Sequence, residues 1–368
     1  MKNYLTATIS ASAVKHNIAV LRGMIQPHVK LCPVVKDDCY GHGMHILYPV
    51  LSGLVDGFAV ASPTEAIWLR EKGYTGFVLC FLSAYFDDFD VQDELVHRGI
   101  TQTVMSKSAL ASIQASARRI GKHALVHLKV DTGMGRLGVP ARQAADMIAT
   151  IEETPEVQLT GIYTHFATAD ESERGDVFEQ LKLFRSIVPD RSDLVLHAAN
   201  SAATIDFPEA HFNMVRPGIA VYGCHPSTHL TNPTALRPCM TVKAKLIAVK
   251  HVAEGSRCGY GLTHRFERDS RVGVVPIGYG DGYFRNLSGR AVVRIHGMDA
   301  PVCGRVSMDQ MTVDVTDIPQ VGVGDEVEVI SSDPLAPSSV ESLARLADTI
   351  PYEITCHLGH NIRHVLVD

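Results

Sequence analysis

LVHLKVDTGMGRLGVPARQAADMIATIEETPEVQLTGIYTH, residues 125–165, sets two short apolar runs on either side of a longer amphipathic one. The first run, 125–130 (LVHLKV), and the second, 158–165 (QLTGIYTH), read as buried strands. Between them, 139–152 reads as a helix. Together they make one strand–helix–strand unit, the connection a parallel sheet requires. Outward from it, 30–36 (KLCPVVK), 56–61 (DGFAVA), 77–82 (FVLCFL), 101–104 (TQTV), 194–198 (LVLHA) and 213–216 (NMVR) are further candidate strands. Helix-like segments at 63–72, 106–120 and 175–187 alternate with them. Eight such units over this length predict an α/β fold built as an N-terminal (β/α)8 barrel, ahead of an open sheet. The fourth run, TQTV, is the weakest of the eight.

From residue 224 the pattern changes to a proline-bearing loop and then to β-rich runs at 241–252, 271–277, 290–296, 311–315 and 326–330, with one helix near 338–348. This predicts a barrel over 1–234 and a second, mostly β C-terminal domain over 235–368. Apolar residues make up 46% of the 368 and charged residues 20%, as in a water-soluble globular chain. The net charge of −6, without a basic run, points away from nucleic acid and from membrane surfaces. Neither a signal peptide nor a membrane span is legible. The eight cysteines form no C-x-x-C pair, which suits a reducing cytoplasm better than a disulfide or zinc framework.

In such a barrel the chemistry gathers at the C-terminal ends of the strands. Lys36 ends the first strand, and a partly desolvated lysine there can form a Schiff base with a carbonyl cofactor. A lone lysine is ordinarily just a surface residue. Gly133, Gly135 and Gly138 match G-x-G-x-x-G after the fifth strand, but a dinucleotide site normally uses the first turn of its domain, so a plain Gly-rich loop is preferred. Gly278-Tyr279-Gly280-Asp281-Gly282 reads as a turn. Asn200-Ser201 and Arg216-Pro217-Gly218-Ile219 follow the seventh and eighth strands, where barrels commonly bind phosphate; the plain alternative is a helix cap at Ser201. His165 ends the sixth strand, where a lone histidine is more often a core residue. Their convergence on one barrel mouth favours a site.

Val34-Val35-Lys36 followed by Tyr40-Gly41-His42-Gly43 resembles the cofactor-lysine signature of alanine racemases. The resemblance runs on through Val130–Gly138, Thr164–Ala167, Ala199–Ala202 and Val215–Gly223, and in the second domain through Gly259–Gly261, Ile277–Tyr283, Gly304–Asp309 and Pro351–Glu353. It implies a fold-type III, pyridoxal-5′-phosphate-dependent isomerase that interconverts L- and D-alanine and supplies D-alanine for cell-wall peptidoglycan or for catabolism. A racemase of serine, lysine or broad range on the same scaffold is the alternative.

By that resemblance Lys36 carries the cofactor. Tyr40, Asn200, Ser201, Tyr352 and the N–H groups of Gly218 and Ile219 hold it at the phosphate end. His165 lies against the ring, Arg136 lies near the ring oxygen and the substrate carboxylate, and Arg216 faces the pyridine nitrogen. Lys129 falls where some relatives carry a carbamate. Lys36 and Tyr260 are the implied bases on opposite faces of Cα, with a chain Arg216–His165–Tyr260 favouring the tyrosine anion. Tyr260 and Met308 come from the partner of a head-to-tail homodimer, and Tyr279, Ile350 and Tyr352 narrow the entrance. The sequence departs from the family at Asp37-Asp38-Cys39, where small or amide residues are usual. A decarboxylase of the same architecture is the rival enzyme. A non-catalytic cofactor carrier is the rival of another class, disfavoured by residues 235–368.

Overall fold

The computed structural model describes residues 4–83, 89–232, 234–358 and 362–368; the rest of the two expected domain spans lies outside the described residues. The chain opens with β1 (Leu5–Ser10), then runs through β2 (Lys30–Leu31), β3 (Gly57–Val60), β4 (Phe77–Cys80), β5 (Thr101–Val104), β6 (Ala124–Asp131), the short β7 (Val139–Pro140), β8 (Val157–Tyr163), β9 (Val195–His197) and β10 (Met214–Val215). Eight of these pair in parallel in the order β2-β10-β9-β8-β6-β5-β4-β3. A parallel bridge between Val34 and Ala59, with Val35 N–H donating to Ala59 O at 2.9 Å, joins the two ends and closes the barrel.

Each expected barrel strand is present, most of them shorter than the expected run, with β5 of the same extent and β6 longer by a residue at each end. The weakly marked TQTV is β5; it is buried throughout, and Thr103 is held there by hydrogen bonds, its Oγ1 donating to Cys80 O at 2.9 Å and its N–H to Ser83 Oγ at 2.9 Å. Helices at Pro63–Glu71, Lys107–Ile120, Ala144–Glu152 and Gly175–Ile187 cover the barrel. Ser62 opens the first with a capping box to Glu65; Ser106 opens the second, and Gly121 at φ 69° ends it.

The second domain holds β11 (Met240–Lys245), β12 (Ala248–Val252), β13 (Arg257–Cys258), β14 (His264–Arg265), β15 (Ser270–Val275), β16 (Val292–Ile295), β17 (Met298–Cys303), β18 (Met311–Asp314), β19 (Glu326–Ile330) and β20 (Arg363–Val367). Its main sheet runs β12-β15-β18-β17-β16-β19-β11-β1-β20. Two expectations change here. The run 241–252 is two strands, because the chain breaks at Leu246–Ile247 to pass from β11, inside the sheet between β19 and β1, to β12 at its edge beside β15. The barrel span expected from residue 1 also begins with a strand that belongs elsewhere: β1 sits in the second sheet, antiparallel to β11 and parallel to β20. A long-range pairing of that kind leaves no local signature. Helix Pro351–Leu358 was also not expected. One continuous apolar core links the barrel, from Val14 and Leu31, to the second sheet at Val293 and Val327.

Candidate active site

The mouth of the barrel opens on a cavity of about 430 Å³. Lys36, Tyr40, Arg136, His165, Asn200, Ser201, Arg216, Gly218 and Tyr352 all line it, so nine expected site residues from both domains meet in one space. Lys129, Tyr163, Phe81 and Leu82 complete much of the wall.

Lys36 begins an unusual turn. Asp37, Asp38, Cys39 and Tyr40 all have φ between 51° and 57°, four consecutive left-handed residues none of which is glycine. Such a conformation costs roughly 1–2 kcal/mol per residue, so its surroundings must hold it. Glu65 accepts the Asp37 N–H at 2.7 Å with one carboxylate oxygen and the Ala61 and Ser62 N–H groups at 2.9 Å with the other. Asp38 accepts the Met44 N–H at 2.6 Å. Helix Pro351–Leu358 packs directly on the turn: a Cβ on Gly41 would lie 2.0 Å from Thr355 O. The acidic pair that departs from the family pattern thus has two fates. Asp38 braces the turn, and the Asp37 carboxylate lies 3.8 Å from Lys36 Nζ.

The turn aims the Tyr40 ring across the cavity floor, between Tyr222 at 5.4 Å and Tyr352 at 5.8 Å. Opposite, Ser201 Oγ accepts the Gly218 N–H at 2.8 Å and the Ala220 N–H at 3.3 Å. Asn200, rather than Ser201, is the cap of helix Ser201–Asp206; its side chain accepts the Ala203 N–H at 3.0 Å. Gly218 leaves room that a side chain would fill, since a Cβ there would lie 2.3 Å from the Tyr40 hydroxyl. Ile219 is fully buried behind this cradle. Three hydroxyls and adjacent backbone N–H groups at one end of a cationic cavity are what a phosphate monoester requires. The residues present therefore fit pyridoxal phosphate, with Lys36 in the same cavity for its aldehyde.

Lys36, Lys129, Arg136 and Arg216 give the cavity a strong positive bias. Burial, then Arg216 and Arg136, lower the Lys129 ammonium to about 8. Burial first, and then the charges of Arg216, Lys129, Arg136 and Lys36, push His165 well below the usual imidazole range. A neutral imidazole at that spot suits stacking on an aromatic ring. Arg216 donates to His197 Nδ1, to Thr164 O at 2.9 Å and to Ala198 O at 3.1 Å, which leaves guanidinium N–H groups to spare, and among the described residues no hydrogen bond joins it to His165. His197 and its neighbour His127 escaped the sequence reading, although their place inside β-strands that also carry site residues was a usable signal.

In both Gly-rich segments backbone N–H groups are turned onto a carboxylate of the chain itself. Asp131 accepts the Gly133 N–H at 3.0 Å and the Gly135 N–H at 3.1 Å, and Asp281 accepts the Gly278 N–H at 3.1 Å.

Tyr260, Met308 and Tyr279 do not line the cavity of their own chain. They are 69%, 56% and 43% exposed on one face of the second domain. Tyr279 N–H donates to Ser307 O and Gly280 N–H to Met308 O, while Gly259 packs against Arg305. Ile350 is exposed as well.

The two halves of the chain match the family descriptions "Alanine racemase, N-terminal domain" over residues 9–226 and "Alanine racemase, C-terminal domain" over residues 239–366. The alanine racemase of Methanococcus maripaludis is 39% identical over 98% of this chain and 97% of its own, and that of Syntrophobacter fumaroxidans is 38% identical over 96% and 95%. The alanine racemase from D-cycloserine-producing Streptomyces lavendulae superposes with a TM-score of 0.93 at 34% identity, covering 100% of this chain and 98% of that one. That from E. faecalis superposes with a TM-score of 0.90 at 31% identity, covering 99% and 98%. With both domains matched in order and the likeness running nearly end to end, the chain belongs to the alanine racemase family.

Proposed function

We propose that this protein interconverts L- and D-alanine with pyridoxal 5′-phosphate held in the barrel mouth. The observation that carries the reading is that Lys36 opens into the same cavity as the cradle of Tyr40, Ser201, Tyr352 and the Gly218 N–H. When bound, the cofactor acidifies the Cα–H of an amino acid by delocalising the charge left behind.

The chain's own residues then divide the work. Lys36 would hold the cofactor, and its amine would move the Cα proton on the D-alanine face. Tyr260 of a second subunit moves it on the L-alanine face, because its own chain leaves it exposed and outside the cavity. Arg136 binds the substrate carboxylate. Neutral His165 covers the ring. Arg216 can only donate, so facing the ring nitrogen it would leave that nitrogen unprotonated and would limit how much charge the cofactor takes up. An amine lowered to about 8 leaves Lys129 partly uncharged near neutral pH, able to hold a carbamate that would orient Arg136. In a shared site Tyr279, Ile350 and Tyr352 would close the entrance with Met308 beside the substrate, leaving room for little beyond a methyl group, so alanine leads, serine follows and lysine is poorly accepted.

Chiral detection of product from L-alanine, L-serine and L-lysine tests the reading. A pocket discriminates one misfitting group by roughly ten- to two-hundred-fold. Lysine turned over as well as alanine would remove the alanine assignment. Retention of a covalent cofactor adduct by Lys36→Ala would remove the lysine's role.

A further inference from the structure

Behind Arg216 lie two buried histidines that the steps above do not use. Strand register sets Lys129, Tyr163 and His197 in one row across β6, β8 and β9, with His127, Gly161 and Val195 two residues deeper. Arg216 donates from Nη1 to His197 Nδ1, and His197 Nε2 lies 2.8 Å from His127 Nδ1. A guanidinium has donors only, so His197 Nδ1 is an unprotonated acceptor. The His197 proton therefore sits on Nε2 and is given to His127 Nδ1. That in turn places the His127 proton on its own Nε2.

The surroundings enforce this order. Both rings are fully buried. The His197 ring stacks on Tyr163 at 4.7 Å with 6° between planes, and Phe77 covers His127 at 5.5 Å. Burial and then Arg216 lower His127 to about 3 and hold His197 well below the usual imidazole range. The other cations acting on them, Lys30 on His127 and Lys129 on His197, work in the same direction. Among the described residues His127 Nε2, which is buried, has no hydrogen-bond partner; it lies beside Gly161, where a Cβ would come within 2.6 Å of it. The chain of donors thus leaves its one unmet N–H at the end farthest from Arg216, in space that only glycine provides.

We propose that His127 is a positioning residue of this active site: by accepting the His197 Nε2 proton it locks His197 as the acceptor for Arg216, and so fixes the guanidinium that faces the cofactor ring. The last step rests on the racemase reading; the tautomer order does not. With the opposite tautomer, His197 would turn an N–H against the guanidinium N–H, and Arg216 would lose an acceptor in a dry site.

Long-range 1H–15N correlation spectra of 15N-histidine-labelled protein, with and without pyridoxal phosphate, report the tautomers directly. Both His127 and His197 are expected as neutral Nε2–H forms at neutral pH. A His197 Nδ1–H form, or a doubly protonated His127, overturns the proposal. His127→Asn places a carbonyl oxygen where Nδ1 stands, whereas His127→Phe keeps a ring without an acceptor. The Phe variant is expected to lower kcat about tenfold or more, with KM for alanine nearly unchanged and the bound-cofactor absorbance band shifted. The Asn variant should restore both. Equal losses in the two variants with an unshifted band would make His127 a space-filling residue and overturn the proposal. Should the Phe variant fail to fold, the wild-type tautomers decide alone. A wild-type protein that binds no cofactor yet shows the expected tautomers would remove the racemase reading and leave the relay standing.

Discussion

Gly218 shows how closely single atoms set this site. Its φ of −110° is open to any residue, so the constraint is space: an added Cβ would meet the Tyr40 hydroxyl at 2.3 Å and its Cζ at 2.8 Å. Tyr40 cannot easily retreat, because Tyr222 and Tyr352 hold its ring on two sides. Overpacking of this kind costs about 1–3 kcal/mol, and here it falls on the hydroxyl proposed to hold the phosphate. Gly218→Ala is therefore expected to weaken pyridoxal phosphate binding by about tenfold or more, read by fluorescence titration of the apoprotein. A dissociation constant within error of wild type would place the phosphate elsewhere. Gly218 was readable from the sequence as a loop glycine after a barrel strand. That Tyr40 was the reason for it was not, since the two are far apart in the chain and meet only through the left-handed turn.

At the level of elements, the parallel strands were legible because they are covered on both faces and so read as apolar runs. The left-handed turn was not, because Cys39 and Tyr40 carry no residue-level preference for it; Glu65 and helix Pro351–Leu358 impose it from outside. Strand β1 was not read as a strand at all, and its residues fell inside the expected barrel span, for a like reason: its partners β11 and β20 are more than 230 residues away at the nearest register pair, Ile9 with Met240. The strands and the turn also bury histidines. Burial lowers His42 to about 4 and His127 to about 3, and holds His165 and His197 well below the usual value. Folded values below the unfolded value mean that the unfolded chain takes up protons first as pH falls. Their stabilisation is thus complete above about pH 6.5 and is lost as pH falls from there toward each folded value. Each histidine contributes at most about 1.4 kcal/mol per pH unit in that window. Urea midpoints should drop steeply between pH 6.5 and 4.5, and less steeply for His127→Asn. A midpoint flat across that window would mean that these imidazoles are charged in the fold.

The whole molecule is divided in a way that one chain does not resolve. Lys36 lies in the barrel cavity, while Tyr260, Met308 and Tyr279 stand exposed together on the second domain, beside Leu262 at 56% exposure. Single apolar residues on a surface need no explanation, but a cluster of two tyrosines, a leucine and a methionine on loops that brace one another is the kind of surface the proposed shared site requires. A second copy set head to tail would bring that face over the cavity mouth and add the second base. In a symmetric dimer each site then draws Lys36 from one subunit and Tyr260 from the other. Mixing Lys36→Ala with Tyr260→Phe makes this measurable. Either variant alone has lost one base, a loss of about 100-fold or more in turnover from the L side. In the hybrid, one site combines the intact Lys36 of one subunit with the intact Tyr260 of the other, while the second site carries both lesions. Random exchange puts half of the dimers in hybrid form, and each holds one working site of two, so activity should recover toward a quarter of wild type. If Tyr260 instead served its own chain, every site in the mixture would carry exactly one lesion and exchange would restore nothing. Subunit exchange demonstrated by differential labelling, with turnover still at the level of the separate variants, would therefore remove the shared site and leave the exposed face without this role.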